Sequence, residues 1–266
     1  MPFAPVPSGE LWCLGVGDGR PSPDRRRSSY LYALGGRGIL IDCGEGCCQA
    51  FRAQGFTSAQ VDHVVLSHMH SDHVGSFSLF MQDLWLEPRR APLSISAPTG
   101  ALPRLQEWLC QTLLFPALMP FRMRWTPLRA GVAQKSGAVR LTPYPTRHLQ
   151  SLAKHFQASH PEVCFEAFSF VLEAGGKRVA HSADIGHEDD LDPLLAKPLD
   201  LLVCELAHVE PEKVFVKLRG RSIGRVVFIH LANEYWTHRA ALRRHARKCL
   251  GDIPFQFATD DDRIGF

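Results

Sequence analysis

The sequence predicts an α/β fold, because short apolar runs suited to buried strands alternate with helical patterns along the chain. The chain has 266 residues, of which 45% are hydrophobic and 21% are charged. This composition supplies a packed core and excludes a disordered or fibrous protein. No linker, heptad array or low-complexity segment interrupts the pattern. We therefore expect residues 1–266 to form one domain with two strand-rich halves.

In the first half, apolar runs and turn residues define most of the element boundaries. Gly35 and Gly36 separate two apolar runs and predict a hairpin, and Gly55 ends the first helical pattern. The predicted strands cover residues 11–17, 30–34, 38–42, 61–67 and 93–97. The predicted helices cover residues 45–54, 74–86 and 101–113.

The second half repeats this alternation. Strands are predicted near residues 138–145, 166–173, 177–181, 200–206 and 225–230, and helices near residues 188–196 and 237–250. The segment 109–125 is rich in Leu, Phe and Met and is expected to lie in the core or at a dimer contact. An exposed apolar part of this segment would favour a homodimer.

Charge and composition narrow the functional classes. The formal net charge is only +3, which is too small to indicate a nucleic-acid-binding protein by itself. No run of about 18 apolar residues is present, so no membrane-spanning helix is predicted. The N-terminal MPFAPVPSGE lacks the basic and apolar regions of a secretory signal. The eight cysteines form no CxxC pair, which favours free thiols in the reducing cytoplasm.

Basic residues occur in four groups along the chain. They are Arg25–Arg27, Arg89–Arg90, Lys217 to Arg225 and Arg239 to Lys248. Such groups either cover a solvated surface or converge on a cleft where they position phosphate. The sequence leaves both interpretations open.

The strongest chemical signal is the segment SHMHSDH, which follows an apolar strand directly. It contains four potential metal ligands within six residues, His68, His70, Asp72 and His73. Imidazole and carboxylate groups together suit Zn²⁺, Fe or Mn²⁺, and the lack of a thiolate argues against a structural zinc site. The side chains fit a strand end that turns into a helix, where a loop wraps around cations.

Further ligands are expected at the ends of later strands, because six residues cannot complete two coordination spheres. His148, Asp184 and His230 each close an apolar run, which is where sheet proteins place their chemistry. Five of these seven candidates are histidines, which accounts for the high content of 13 histidines in the chain.

These motifs resemble those of the metallo-β-lactamase superfamily, and within it those of ribonuclease Z and its relatives. ILIDCGEG and LSHMHSDHVGS are similar to the first two motifs, and PTRHL, SADIG and IHLANEYW to the next three. The opening LGVGDGRPSPDRRRSSYLY and the closing FATDDDRIGF also resemble this branch. The resemblance implies a four-layer αβ/βα sandwich with two mixed sheets flanked by helices.

The resemblance also implies a dinuclear metal centre. One ion would be held by His68, His70 and His148, the other by Asp72, His73 and His230, and Asp184 would bridge the two. Such centres share a hydroxide that attacks phosphorus or a carbonyl carbon. Zn²⁺ is the expected ion, with Mn²⁺ and Fe as alternatives. Asp42 would orient the metal loop by hydrogen bonds, and His181 is a second candidate for such a role.

Acid–base roles follow from the same comparison. Asp72 is placed to accept the proton of the attacking water as well as to bind metal. Ribonuclease Z carries a His-Glu-Ala-Thr segment whose histidine helps to protonate the leaving group, and here Cys204 takes that position while Glu205 is retained. His208 is either a substitute general acid or an ordinary loop histidine.

The expected function is a cytoplasmic phosphodiesterase that acts on a small diester or RNA. No Gly- and Lys-rich insertion like the arm with which ribonuclease Z grips tRNA lies between His148 and Asp184. The absence of that arm disfavours tRNA processing but leaves the chemistry intact. The alternatives are hydrolysis of a β-lactam, lactone or thioester at the same centre, and a binding protein on a degenerate fold, which would typically have lost ligands.

Overall fold

Two seven-stranded mixed sheets form the centre of the molecule. The structure is a computed structural model that describes Phe3 and residues 9–266. The strands of the first sheet are β1 (Glu10–Gly15), β2 (Ser29–Leu34), β3 (Arg37–Ile41), β4 (His63–Val65), β5 (Leu93–Pro98), β6 (Met123–Leu128) and β14 (Arg263–Gly265). Their order is β14-β1-β2-β3-β4-β5-β6, antiparallel from β14 to β3 and parallel from β3 to β6.

The second sheet has the same mixture of pairings. Its strands are β7 (Gln134–Ser136), β8 (Val139–Pro145), β9 (Phe168–Ala174), β10 (Lys177–His181), β11 (Leu201–Leu206), β12 (Val226–Leu231) and β13 (Phe255–Phe257). Their order is β13-β12-β11-β10-β9-β8-β7, antiparallel from β7 to β10 and parallel from β10 to β13. The carboxyl ends of the parallel strands therefore point to one edge of each sheet.

Alternating side chains divide the core into layers. In β1, Leu11 and Cys13 face the space between the two sheets, while Trp12 and Leu14 face the other side. This period of two is the pattern of a strand with both faces covered. The central layer is filled by large residues of both sheets, such as Tyr32 and Phe170.

Helices cover the outer faces of both sheets. The helices are α1 (Cys47–Ala53), α2 (Ser71–Val74), α3 (Phe77–Leu86), α4 (Leu102–Gln111), α5 (Gln150–Phe156), α6 (Pro211–Leu218), α7 (Asn233–Thr237) and α8 (Arg239–Leu250). Apolar residues of α1, α3 and α4 pack in one outer cluster with the first sheet, and those of α6 and α8 in another with the second. The predicted four-layer α/β sandwich is confirmed.

Two helix predictions need correction. The predicted helix 188–196 is wrong, because this segment forms two short 3-10 turns, Glu188–Leu191 and Leu194–Ala196. Pro193 lies between them and has no backbone N–H to continue an α-helix. The predicted helix 74–86 is divided into α2 and α3 by Gly75 and Ser76.

The predictions about membrane spans and thiols fall within the described residues, and the one about a secretory signal does not. No helix in residues 9–266 is both long and apolar enough to span a membrane. All eight cysteines are free thiols. Residues 1–2 and 4–8, on which the prediction about a secretory signal rests, lie outside the described residues.

Candidate metal centre

The predicted ligands lie at the carboxyl ends of strands in both sheets. His68 follows β4 in the first sheet, and His70, Asp72 and His73 lie at or within the short helix α2 that comes next. The other three come from the second sheet: His148 follows β8, Asp184 follows β10, and His230 lies in β12. The loops after these strands converge, so residues more than 150 positions apart in the chain meet at one site.

The first group of donors contains His68, His70, His148 and Asp184, whose ligand atoms all lie within 4.8 Å of one another. Nε2 of His148 is 3.1 Å from Nδ1 of His70. Oδ2 of Asp184 is 3.7 Å from Nε2 of His68 and 3.5 Å from Nε2 of His148. The four donor atoms thus surround one small volume.

The second group contains Asp72, His73 and His230. Oδ2 of Asp72 is 3.5 Å from Nε2 of His73 and 3.8 Å from Nε2 of His230. Oδ2 of Asp184 also approaches this group, at 3.3 Å from His73 and 3.6 Å from His230. Asp184 therefore stands between the two groups.

This donor set fits divalent metal ions. Nitrogen and oxygen ligands bonded to Zn²⁺ at about 2.0–2.2 Å lie roughly 3.3–3.6 Å apart in a tetrahedral site. The separations observed around Asp184 Oδ2 are 3.3–3.7 Å. Nε2 of His68, Nε2 of His73 and both carboxylate oxygens of Asp184 are buried without a hydrogen-bond partner. Buried polar atoms are costly unless satisfied, and bound cations would satisfy all four.

Hydrogen bonds fix the orientation of three of the imidazole rings. Asp42 accepts hydrogen bonds from the Ser67 backbone N–H (2.7 Å) and from Nδ1 of His73 (2.7 Å). The hydroxyls of Ser67 and Ser28 lie 2.9 Å from Nδ1 of His68 and His230 respectively. Each contact occupies Nδ1 and leaves Nε2 directed at the site.

Ser28 and Ser67 were not predicted to contribute. Ser67 directly precedes His68, and this position in the sequence could have indicated that its hydroxyl lies beside the histidines. Ser28 lies 202 positions before its partner His230, and only the folded chain brings the two together.

Of the five non-glycine residues with positive φ among residues 9–266, three lie at or beside this site. Asp42, Ala183 and His230 have positive φ angles of 60°, 45° and 47°. Non-glycine residues in this region cost about 1–3 kcal/mol each and persist where surrounding structure holds them. Asp42 and His230 belong to the site, and Ala183 directly precedes Asp184.

The clustering of donors also determines their charge states. Burial lowers the pKa of His68 far below its usual value, and the neighbouring His73 lowers it further. Burial lowers the pKa of His148 to about 3. Burial opposes ionisation of Asp184, but the adjacent His230 and His73 outweigh it and hold the Asp184 pKa well below its usual range. For His73, burial opposes protonation, but the Asp184 and Asp42 carboxylates outweigh it and raise the His73 pKa well above its usual value. Because metal binds neutral imidazole and ionised carboxylate, ion binding would displace a proton from His73.

Glu205 and His208 form a connected pair at the rim of the site. Nδ1 of His208 lies 3.1 Å from Oε1 of the fully buried Glu205, which also accepts a hydrogen bond from the Ile185 backbone N–H. The His208 ring lies 4.4 Å from His148 and 5.5 Å from His230, centroid to centroid. Burial lowers the pKa of His208, but the Glu205 and Asp184 carboxylates outweigh it and raise this pKa to about 9. His208 is therefore positioned against the predicted ligands.

His181 occupies a different environment from the ligands. Its Nδ1 lies 2.9 Å from the Tyr32 hydroxyl, and its ring packs against Tyr30. Burial lowers the pKa of His181 to about 3, and His73 lowers it further. The structure therefore places His181 beneath the site, with a tyrosine as its hydrogen-bond partner.

A cavity of about 550 Å³ adjoins Asp72. The loop between β1 and β2 forms one wall with Gly19, Pro21 and Pro23, and Glu45 and Arg27 contribute charged groups of opposite sign. A side chain at Gly19 would begin 3.5 Å from Asp72 Oδ2. This cavity gives solvent and small molecules a route to Asp72.

The basic groups converge only in part. Arg25 and Arg239 stack on Trp236, just beyond His230, and Arg25 also donates to Asn233. By contrast, Arg27 and Arg89 are buried, and Arg89 bonds to backbone carbonyls. Arg25 and Arg239 therefore form a small basic surface next to β12.

Comparison with known proteins agrees with this architecture. The model of the beta-lactamase superfamily domain matches residues 37–247. A ribonuclease Z from Mycolicibacterium paratuberculosis is 37% identical over 94 residues, which are 34% of this chain and 34% of that protein. The match thus spans about a third of the curated relative.

Two solved structures share the fold over nearly the whole chain. The metallo-beta-lactamase fold protein YhfI from Bacillus subtilis has a TM-score of 0.76 and 16% identity, covering 97% of this chain and 99% of that one. Human tRNase Z, short form, has a TM-score of 0.65 and 17% identity, covering 96% and 98%. With the family match over residues 37–247, these findings show that the chain belongs to the metallo-β-lactamase superfamily.

Proposed function

We propose that this protein is a dinuclear-metal hydrolase that cleaves phosphodiesters, similar to ribonuclease Z. The observation that carries this proposal is the position of Asp184. Its Oδ2 lies 3.3–3.7 Å from Nε2 of four histidines that belong to two separate donor groups. A carboxylate in that position suits two ions that share one ligand, as in two-metal hydrolases.

The donor atoms divide naturally between two ions. His68, His70 and His148 would hold one ion, and Asp72, His73 and His230 the other, with Asp184 common to both. Zn²⁺ is the proposed ion because the set contains His and Asp without Cys, and Mn²⁺ and Fe are the alternatives. When bound, two such ions supply Lewis-acid activation of water and of the phosphoryl oxygen.

Asp72 is the proposed proton acceptor for the attacking water. Its Oδ2 lies beside His73 and His230, and its carboxylate also lines the 550 Å³ cavity. A carboxylate that borders both the ligands and the open cavity is within reach of a water molecule entering from solvent.

His208 is the proposed general acid, and Glu205 positions it. The bond to Glu205 occupies Nδ1, so Nε2 remains free to donate a proton to the leaving oxygen. About a third of the His208 side chain is exposed, whereas Glu205 is buried. This arrangement supports His208 as the substitute for the histidine that Cys204 replaces, and it disfavours the interpretation as an ordinary loop histidine.

A small phosphodiester or a short RNA segment is the proposed substrate. The similarity to ribonuclease Z supports phosphodiester chemistry, but residues 149–167 form only the helix α5 and a loop before β9 begins. This segment is too short for a tRNA-gripping arm. The formal net charge of +3 and the mixed charge of the cavity also suit a small substrate better than tRNA.

We further propose that the chain acts as one domain in a cytoplasmic homodimer. Its free thiols suit a reducing compartment. The segment after α4 exposes Leu113, Phe115 and Leu118 beside an apolar groove of about 710 Å³. An exposed apolar patch of this kind is typical of a protein–protein contact.

The test is hydrolysis by the purified, metal-loaded protein. Bis(p-nitrophenyl) phosphate, a cyclic phosphodiester, a tRNA precursor, a β-lactam, a lactone and a thioester are assayed side by side. Cleavage of a phosphodiester at the highest kcat/KM supports the proposal. Turnover of the carbonyl compounds alone would contradict it and identify a hydrolase of β-lactams, lactones or thioesters. If the protein binds no metal and turns over none of the substrates, a binding protein would be favoured.

A further inference from the structure

A second set of metal-type donors lies between helices α6 and α8. Glu212 of α6 contacts His245 and Cys249 of α8, and the ligand atoms of the three residues all lie within 4.8 Å of one another. Sγ of Cys249 is 3.8 Å from Nε2 of His245 and 3.8 Å from Oε2 of Glu212. The His245 imidazole also pairs directly with Oε2 of Glu212. None of these residues belongs to the centre described above.

The two separations that involve Cys249 are close to those of a tetrahedral zinc site, and the direct His245–Glu212 pair would open to admit the ion. Zn²⁺ binds thiolate sulfur at about 2.3 Å and imidazole nitrogen at about 2.0–2.1 Å, which places the two donors roughly 3.6 Å apart. The observed sulfur–nitrogen distance of 3.8 Å differs from this value by tenths of an ångström. His245 and Cys249 are also four residues apart on one helix, so they share a face of α8.

The charges around this cluster are compatible with a divalent cation. The helix α8 carries Arg239, Arg243, Arg244, Arg247 and Lys248. Across residues 9–266, however, neither these nor any other Lys or Arg side chain forms an ion pair with Glu212. The partners of Glu212 are instead the imidazole and the thiol. One thiolate and one carboxylate would neutralise a divalent ion.

The sulfur of the cluster is buried, and its other two donors are open to solvent. Cys249 is buried, with 4% of its surface exposed, while the side chains of Glu212 and His245 are about half exposed. An ion can therefore enter from solvent, rest on the buried sulfur, and keep one position for water. His245 is further held by the contact of its ring with Phe215 of α6, which is buried in the cluster between the two helices.

We propose that Glu212, His245 and Cys249 bind one Zn²⁺ ion that joins α6 to α8. Three protein ligands and one water complete its coordination. The site is separate from the dinuclear centre in position and in ligand chemistry, because it alone includes sulfur. The inference does not depend on the proposed function.

The sulfur ligand supplies a direct test, which is cobalt substitution of the full-length protein. Co²⁺ bound to a thiolate gives a sulfur-to-metal charge-transfer band in the near ultraviolet, and Co²⁺ bound only to His and Asp gives none. The protein stripped of metal is titrated with Co²⁺, and bound cobalt is counted after gel filtration. We expect the charge-transfer band to grow to saturation and to account for one equivalent of cobalt per chain.

Variants assign the band to the cluster. In Cys249→Ser the band and one equivalent of cobalt are lost, and in Glu212→Gln and His245→Gln, both at half-exposed positions, saturation requires a higher cobalt concentration. Cys110→Ser and Cys164→Ser, which remove the two half-buried thiols of the chain, keep the band. No band at saturating Co²⁺, or a band that persists in Cys249→Ser, overturns the proposal.

Discussion

The Asp42 carboxylate accepts a hydrogen bond of 2.7 Å from Nδ1 of His73, and this contact directs Nε2 of His73 toward Asp184. Asp42 has a positive φ of 60° and is fully buried, and it also accepts the Ser67 backbone N–H. Asp42, with a strained backbone and a buried carboxylate, therefore connects β3 to the loop that carries the predicted ligands. These hydrogen bonds hold the loop and the His73 ring in place.

We predict that Asp42→Asn weakens metal binding by about 10–100-fold, because the ring of His73 loses its charged acceptor. Competition with a chromophoric chelator measures the change. Asp62→Asn is the matched control, since Asp62 also accepts a backbone N–H, at Gly38, but lies away from the site. Equal affinity of Asp42→Asn and the unaltered protein would show that Asp42 has no part in holding the ligands.

We predict that His208→Gln lowers kcat by about 10²–10⁴-fold on diesters with poor leaving groups, because a general acid is lost. The loss should be much smaller for bis(p-nitrophenyl) phosphate, whose leaving group needs little protonation. Metal content should be unchanged. His155→Gln, on the exposed α5, serves as the control. A uniform loss on both substrates together with lost metal would instead make His208 a ligand.

Stability should depend on pH through His63, which is buried in β4 with Nε2 2.8 Å from the Ser96 hydroxyl. Burial lowers its pKa from 6.5 to about 4, so the unfolded chain binds the proton first as the pH falls. Above pH 6.5 the buried neutral His63 makes its full contribution to the free energy of unfolding. Its contribution is lost between pH 6.5 and 4, by about 3 kcal/mol.

The His63 prediction is measured as a difference between two proteins. Free energies of unfolding of the unaltered protein and of His63→Gln are compared from pH 7.5 to 4. All other titrating groups are common to both, so their difference isolates His63. The advantage of the unaltered protein should shrink as the pH falls, and a constant difference would refute the assignment.

The homodimer proposal predicts that charge in the exposed apolar segment dissociates the protein. Leu113→Asp and Leu118→Asp should sediment as monomers at micromolar concentration, because a buried unpaired carboxylate opposes association. Val216→Asp, at another exposed apolar position, is the control and should remain dimeric. A strictly monomeric mass for the unaltered protein would contradict the proposal.

The sequence located the converging donor residues more completely than the hydroxyl groups that orient them. His148, Asp184 and His230 were identifiable because each closes an apolar run, and the strand ends meet as that pattern implies. Asp42, the acceptor for His73, was expected from the family resemblance, whereas Ser28 carries no local pattern that reveals its contact with His230.

The fold was predictable where periodicity is strong and less so at the edges of the sheets. β6 was not predicted as a strand, because it contains Pro127 and alternates exposed with half-buried residues. It lies at the edge of the first sheet, where a proline does not interrupt the pairing. The 3-10 turns around Pro193 were likewise interpreted as a helix because their apolar residues have helical spacing.

The most direct test of the account is to count the ions that phosphodiester hydrolysis requires. Metal-free Cys249→Ser protein is titrated with Zn²⁺ while hydrolysis of bis(p-nitrophenyl) phosphate is followed. This variant lacks the proposed site between α6 and α8, so the bound zinc counts only the ions of the predicted centre. We predict that activity reaches its plateau at two equivalents and that Asp184→Asn abolishes it. Full activity at one equivalent, or no hydrolysis with two ions bound, would contradict a dinuclear phosphodiesterase.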